Sequence, residues 1–290
     1  MQTKGLIIKG IAGFYYVKAA EKTYQCKARG IFKKDGIKLM VGDIASIEVL
    51  QDGDAIINSI DERKNEFIRP FISNVDCFVV VIAATKPEPN FKIVDRFLAV
   101  AEKNKADAIV CVNKTDLADD ARLDEIRQIY EYIYPVAFVS AKAGNGINDL
   151  KSLMKVEKYA LAGPSGVGKS TLLNALQPLA KADTGEISTK TSRGKHTTRH
   201  AEIFETEFGA MVYDTPGFTS FDVITDDETE LQYLFPEIEK LYGQCKYRDC
   251  SHIKEASCAV REAVDEGKIH KSRYSSYVEM YDETIKNNTY

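Results

Sequence analysis

What this chain lacks is a long apolar run. A bilayer-spanning helix takes about 20 apolar residues, and the longest stretch here, Cys77 to Ala84, has the length of a strand. The N-terminus, Met1-Gln2-Thr3-Lys4, has no apolar segment of the signal-peptide kind. Together these absences predict a cytoplasmic protein with no membrane partner. There is also no internal repeat or low-complexity tract, which sets aside solenoids and disordered tails. The six cysteines do not form a disulfide framework, because three of them cluster late beside a histidine, a grouping that suits a metal. No excess of positive charge is present either, since the formal net charge is −4. Taken alone, that value argues against nucleic acid.

The distribution of charge reverses that argument. Residues 1–40 hold nine basic residues against two acidic ones, a local charge of +7 that leaves −11 for the remainder. A basic end on an acidic chain is a phosphate-binding surface or the solvated face of a small β-domain. At 290 residues and 44% hydrophobic content, the chain has material for two or three packed domains.

Residues 1–66 read as five short strands with turns at Gly42-Asp43 and Asp52-Gly53, rich in basic and aromatic side chains. This pattern predicts a small β-barrel of the OB-fold kind. From residue 67 the pattern changes. Cys77 to Ala84 is apolar throughout, as a strand buried on both faces should be. Strands at 108–112, 136–139 and 158–162 then alternate with helices at 94–102, 123–132, 147–154 and 169–176. The fold class predicted for 67–222 is α/β, with a mostly parallel, doubly wound sheet. Residues 223–290 read as polar and mostly helical, interrupted by the Cys/His cluster.

Gly163-Pro164-Ser165-Gly166-Val167-Gly168-Lys169-Ser170 fits GxxxxGK followed by serine, and it lies between a predicted strand and a predicted helix, with Thr171 next in that helix. The glycines let backbone N–H groups converge on phosphate oxygens, Lys169 supplies charge at the β- and γ-phosphates, and the Ser170 hydroxyl is a Mg²⁺ ligand. Asn113-Lys114-Thr115-Asp116 fits NKxD after a predicted strand. A carboxylate at Asp116 accepts from the two donors on the guanine edge, and adenine has no such pair, so this choice favours GTP over ATP. Asn113 ties the loop together, and the Lys114 stem covers the base. Ser140-Ala141-Lys142 is the loop expected to meet the guanine oxygen. Asp214-Thr215-Pro216-Gly217 fits DxxG, with Asp214 holding Mg²⁺ through water and the Gly217 N–H on the γ-phosphate. The polar stretch 190–200 sits where a first switch loop belongs. Thr198 is its expected Mg²⁺ ligand, with Thr197 the alternative. Phe218 stands where a glutamine would orient the attacking water, so His196 is the candidate for that task, or else an exposed loop histidine.

The order of these motifs is unusual. NKxD and Ser-Ala-Lys precede the phosphate loop, whereas GTPases conventionally run the other way. The loops all sit at one edge of a sheet, so a circular permutation preserves the site. Cys245, Cys250, His252 and Cys258 lie within fourteen residues and compose a closed, structural Cys₃His zinc site.

These features resemble the RsgA family, also called YjeQ or YloQ. The likeness covers nearly the whole chain. It is carried by Ala28-Arg29-Gly30-Ile31-Phe32-Lys33-Lys34, Val41-Gly42-Asp43, the permuted motif order, Gly194-Lys195-His196-Thr197-Thr198 and the Cys/His spacing. It implies an OB-fold over 1–66, a permuted GTPase over 67–222 and a zinc-binding domain over 223–290. It implies binding to the 30S subunit and 16S rRNA near the decoding region, with GTP hydrolysis stimulated there during late maturation. Lysine stands at positions 33 and 195, where the family commonly has arginine, a difference that matters for phosphate contacts. A monomer is expected. The competing readings are a permuted GTPase of large-subunit assembly and an RNA-binding module whose hydrolysis is incidental.

Overall fold

The computed structural model describes residues 1–50, 54–68, 70–177, 201–214 and 227–288. In chain order the elements are β1 (Gln2–Ile11), β2 (Phe14–Ala19), β3 (Lys22–Ala28), α1 (Gly30–Lys34), β4 (Ile44–Val49), β5 (Ala55–Ile60), β6 (Glu66–Ile68) and β7 (Phe71–Ser73). There follow β8 (Cys77–Ala83), α2 (Phe91–Lys103), β9 (Asp107–Asn113), α3 (Asp120–Tyr130), β10 (Val136–Phe138), α4 (Ile147–Leu153), β11 (Lys158–Ala162) and α5 (Lys169–Leu176). The last elements are β12 (Glu202–Glu205), β13 (Met211–Asp214), a 3₁₀ segment Glu228–Leu234, α6 (Pro236–Glu239), α7 (Ala259–Asp265) and α8 (Lys271–Asn288). They divide into two compact units. One comprises Met1–Asp76, Val156–Leu161 and Leu173–Phe218, the other Cys77–Lys155, Ala162–Leu172 and Thr219–Tyr290.

The first unit begins with a barrel. β1 pairs with β2, β2 with β3, β3 with β5 and β5 with β4, and β4 returns to β1, closing the sheet on itself. Its interior is filled from alternate positions of these strands by Ile7, Val17, Cys26, Ala45, Ile47 and Ile57, capped by Phe32 of α1. Closure removes the sheet edges that would otherwise invite aggregation. The outer side of β1 carries a further pairing with β12, which is antiparallel to β13, and β13 runs parallel to β11. Sequence pattern did not disclose β12, whose four residues are too few for a periodic signal, nor the β6–β7 hairpin, which is three residues a side.

In the second unit β8, β9 and β10 are parallel, and every residue of β8 is buried. Here the expectation of a strand covered on both faces is met. Asn90 caps α2 by accepting from the Ile93 N–H, and Asp119 caps α3 by accepting from the Arg122 N–H. The helices after residue 227 do not stand apart. Ala99 of α2 shares one apolar core with Leu231, Phe235, Val260 and Tyr277. Beneath that contact lies a buried ionic cluster. Asp95 of α2 is fully buried and accepts from Arg273 Nη1 of α8 (2.8 Å), from the Ser276 hydroxyl (2.5 Å) and from the Tyr130 hydroxyl (3.0 Å). Arg273 turns its other nitrogens to Glu237 at 2.7 and 3.1 Å. Removing one partner of such a pair strands an uncompensated charge, which typically costs about 3–5 kcal/mol. Arg273→Ala, which strands both carboxylates, should therefore lower the unfolding free energy measured by denaturant titration by that order, whereas Lys4→Ala, which breaks the exposed Lys4–Asp61 pair, should lower it by less than about 1 kcal/mol.

Candidate functional site

β9 delivers Asn113 to the end of the parallel strands, where it is buried. Its amide works in two directions. Nδ2 donates to the Val167 carbonyl (2.8 Å) in the phosphate loop, and Oδ1 accepts from the Ala141 N–H (3.0 Å). One side chain thus holds three loops together, and both ends of a buried amide are satisfied. Gly168 must lack a Cβ for this to happen. Its φ is +98°, and a Cβ there would stand 2.3 Å from Asn113 Nδ2. Gly163 is under the same demand, since a Cβ would stand 2.2 Å from the Val81 carbonyl oxygen. Lys114, at φ 63°, lays its amine against the carbonyls of Lys86 (2.5 Å) and Gly166 (2.7 Å). Its stem consequently crosses over the same loop. Asp116 is exposed, and one of its oxygens accepts from the Ser140 hydroxyl at 2.6 Å. Ser140 is itself buried, so the carboxylate is braced from beneath while its face stays accessible. Thr115 anchors its turn by donating its N–H to the Val139 carbonyl, and Lys142 is exposed beyond Ala141.

In the phosphate loop, Pro164 is half-buried while Ser165, Gly166, Ser170 and Thr171 are exposed. The Lys169 amine donates to the carbonyls of Gly163 (2.6 Å) and Pro164 (2.7 Å), and burial lowers its pKa to about 8. Asp214 closes β13 at the C-terminal end of the β11–β13 pair, two register positions beyond Val212, which faces Tyr159. It is partly buried and stands opposite Glu202 of β12. The hard oxygens of Ser170 and Asp214 have the chemistry that magnesium takes. His196, Thr197, Thr198, Gly217 and Phe218 lie outside the described residues.

The cysteine cluster forms as a tight set. The ligand atoms of Cys245, Cys250, His252 and Cys258 all lie within 4.8 Å of one another. Cys245 Sγ and Cys258 Sγ are 3.5 and 3.4 Å from His252 Nδ1 and 3.9 Å apart. Tetrahedral zinc with metal–sulfur bonds of about 2.3 Å implies sulfur–sulfur edges near 3.8 Å, so the four donors fit such an ion. Burial, with the neighbouring thiols, pushes Cys250 up to about 12, and burial pulls His252 down. The direction at His252 favours the neutral imidazole that a ligand must be, while the Cys250 thiol would ionise only against a cation. Residues outside the cluster set its geometry, and the spacing of cysteines did not reveal them. His252 Nε2 donates to Gln232 Oε1 (3.2 Å), which fixes Nδ1 as the atom facing the sulfurs. Tyr274 and Tyr277 donate their hydroxyls to the carbonyls of His252 (2.7 Å) and Ser251 (2.9 Å). Glu255 accepts from the N–H groups of Ser251, Ile253 and Lys254.

On the barrel, an open cleft of about 1140 Å³ is lined by Phe14, Lys27, Arg29, Lys33, Lys38 and Phe71 among others. Lys27 sits over the Phe14 ring at 5.5 Å and Lys38 over the Phe71 ring at 5.4 Å. Basic side chains therefore border aromatic faces, the arrangement on which single-stranded nucleic acid stacks.

Two family models match: the RsgA GTPase over residues 60–224 and the RsgA N-terminal domain over residues 4–57. The chain belongs to the RsgA GTPase family. It is 45% identical to a protein of Clostridium perfringens (strain SM101 / Type A) named small ribosomal subunit biogenesis GTPase RsgA, covering 97% of this chain and 98% of that one. A protein of the same name from Agathobacter rectalis is 44% identical, with 98% of each covered. Among solved structures, YjeQ from Thermotoga maritima superposes with a TM-score of 0.83 at 34% identity, covering 98% of this chain and 99% of that one. YloQ, described as a circularly permuted GTPase, gives 0.82 at 37% identity over 99% and 96%. Membership in the RsgA family accounts for the motif order, and the barrel at the N-terminus agrees with it. Among the described residues, no helix is long and apolar enough to cross a membrane.

The state of Lys169 has a consequence for nucleotide binding in this RsgA chain. Below about pH 8 its amine is protonated before nucleotide arrives. Above that value binding must recruit a proton, because a bound phosphate favours the charged form. Affinity for GDP measured by titration calorimetry should hold steady up to about pH 8 and then fall by about tenfold per pH unit, with measured proton uptake. Lys169→Arg should remove the inflection.

Proposed function

We propose that this protein hydrolyses GTP during late assembly of the 30S ribosomal subunit, and that contact with the subunit stimulates the reaction. The observation that carries the reading is the Asn113 amide, which joins NKxD, the Ser-Ala-Lys loop and the phosphate loop in one cluster. Whole-length similarity to proteins named as small-subunit biogenesis GTPases gives it the ribosomal direction. We assign 1–66 to RNA binding through the basic cleft, 67–222 to the GTPase and 223–290 to the zinc-binding region. The protein acts as a monomer in the cytoplasm, on 16S rRNA near the decoding region.

In this reading Asp116 accepts from the guanine donors while Ser140 holds it in place, and Ala141 presents its backbone near the guanine oxygen. Gly163 to Thr171 cradle the phosphates, and Lys169 leaves the carbonyls of its own loop for the β- and γ-phosphates. Ser170 and Thr198, with Asp214 through water, would hold magnesium, which would supply positive charge against the phosphate oxygens. The Gly217 N–H steadies the γ-phosphate. With Phe218 unable to orient water, His196 takes that task. Cys245, Cys250, His252 and Cys258 would hold a structural zinc, which would tie this loop together.

Single-turnover hydrolysis with and without 30S and 50S subunits tests this. Hydrolysis should be slow alone, faster with 30S only, and the gain should fade with salt as phosphate contacts are lost. His196→Ala should lose roughly tenfold or more of the stimulated rate with GTP affinity nearly intact. Equal stimulation by both subunits, or by neither, would refute the reading. Metal analysis should find one zinc per chain. Cys250→Ala should abolish it and unfold the region around α7 and α8, as followed by hydrogen exchange.

A further inference from the structure

Val41-Gly42-Asp43 stands out in the sequence, yet none of the three belongs to a nucleotide loop. Asp43 is fully buried. Its carboxylate accepts from the Met40 N–H (2.8 Å), the Ser73 hydroxyl (2.6 Å) and Arg63 Nε and Nη2 (2.7 and 2.9 Å). Gly42, at φ +104°, lies so close to its neighbours that a Cβ would stand 2.1 Å from the Ser73 oxygen and 2.4 Å from the Tyr213 hydroxyl. Its own carbonyl accepts from Asn74 Nδ2 at 2.9 Å. Into this knot of barrel and hairpin backbone reaches Tyr213, fully buried, donating its hydroxyl to the Ser73 carbonyl at 2.6 Å.

Tyr213 is the chain neighbour of Asp214. Because a strand turns successive side chains to opposite faces, Tyr213 is committed to the knot while Asp214 takes the other face. The cross-strand neighbour of Asp214 is fixed to the barrel as well. Glu202 stands opposite Asp214 in the β12–β13 register and opposite Lys9 in the β1–β12 register, and Lys9 Nζ meets the Glu202 carboxylate at 2.9 Å. One strand further along the hairpin, Lys18 pairs with Glu205. Both residues that border Asp214, along the chain and across the sheet, are therefore tied to elements of the first 74 residues.

We propose that Tyr213 is a positioning residue that couples the N-terminal barrel to Asp214, so that RNA held on the barrel sets the placement of the Asp214 carboxylate during GTP hydrolysis. This rests on the reading above, in which Asp214 serves magnesium and the barrel binds RNA. Misplacing a reacting group by about 1 Å can cost a hundredfold in rate, so a joint of this kind needs only a small displacement to act. Coupling of two binding events is reciprocal: if the barrel positions Asp214, the nucleotide must also alter affinity for RNA.

Tyr213→Phe removes the hydroxyl alone, and Lys9→Ala cuts the second link at a partly exposed ion pair. For the full chain and both variants, two quantities are measured. The first is the ratio of 30S affinities with a non-hydrolysable GTP analogue and with GDP. The second is the magnesium concentration giving half-maximal single-turnover hydrolysis without subunits. The wild-type ratio should be about tenfold, and each variant should shrink it by roughly threefold or more while raising the magnesium half-point by a similar factor. A merely structural role would lower the melting temperature and both affinities together, leaving the ratio and the half-point unchanged; that result in both variants overturns the proposal. If the wild type fails to bind 30S, the functional reading falls, and the magnesium half-point alone then decides the coupling: a rise in the variants supports it and no change overturns it.

Discussion

A single buried amide bears on everything else in the nucleotide site. Asn113 sits where three loops meet, and because an amide has a donor and an acceptor on one rigid plane, it fixes the distance between the Val167 carbonyl and the Ala141 N–H. Neither group has another route to satisfaction once water is excluded, so the loops must close on the side chain or leave it orphaned. The glycine at 168 is a consequence, since any side chain would occupy the amide's place. The extended Lys114 is another, laid across the loop that Asn113 holds. A contact of this kind is indifferent to chain order. It requires only that β9 and the phosphate loop reach the same end of a sheet, which is why the motifs can be permuted without dismantling the site.

The cysteine cluster follows a different rule. There the donors come from fourteen consecutive residues, and the surrounding fold supplies their orientation. Gln232 settles the tautomer of His252, two tyrosines of α8 hold the backbone of Ser251 and His252, and Glu255 gathers three N–H groups. The metal-binding loop is thereby built into the same core that rests on α2.

The motifs were legible because each is a run of neighbouring residues whose chemistry repeats in any protein that handles the same ligand. The β-barrel was legible from short strand-like runs between turn residues, and the parallel strands because burial on both faces makes them continuously apolar. What sequence did not disclose shares a different property. Asp95 and Arg273, 178 positions apart, look like an ordinary helix-surface acid and base until packing buries both. Tyr213 reads as one more apolar strand residue, and its hydroxyl finds Ser73 across 140 positions. Gln232 and Tyr274 have no distance from the cysteines that a spacing rule could use. Strand β12 is too short to carry a period of two. Alternation of strands and helices ends near residue 222, and the burial that Ala99 shares with the later helices leaves no mark in the local pattern.

The buried Asp95 has a further consequence that concerns time. During synthesis α2 leaves the ribosome long before α8, and its carboxylate must stay wet until Arg273 is made 178 residues later. At translation speeds of about 5–20 residues per second, that interval is roughly 10–35 s. The Asn113 amide waits a shorter time, 54 residues, for Val167. The nascent chain therefore completes its nucleotide loops while α2 still lacks its counter-ion, and only the arrival of the last helix lets the surface around Asp95 go dry. A chain cut short before Arg273 would carry the full set of nucleotide motifs on a scaffold with an open, charged seam at Asp95.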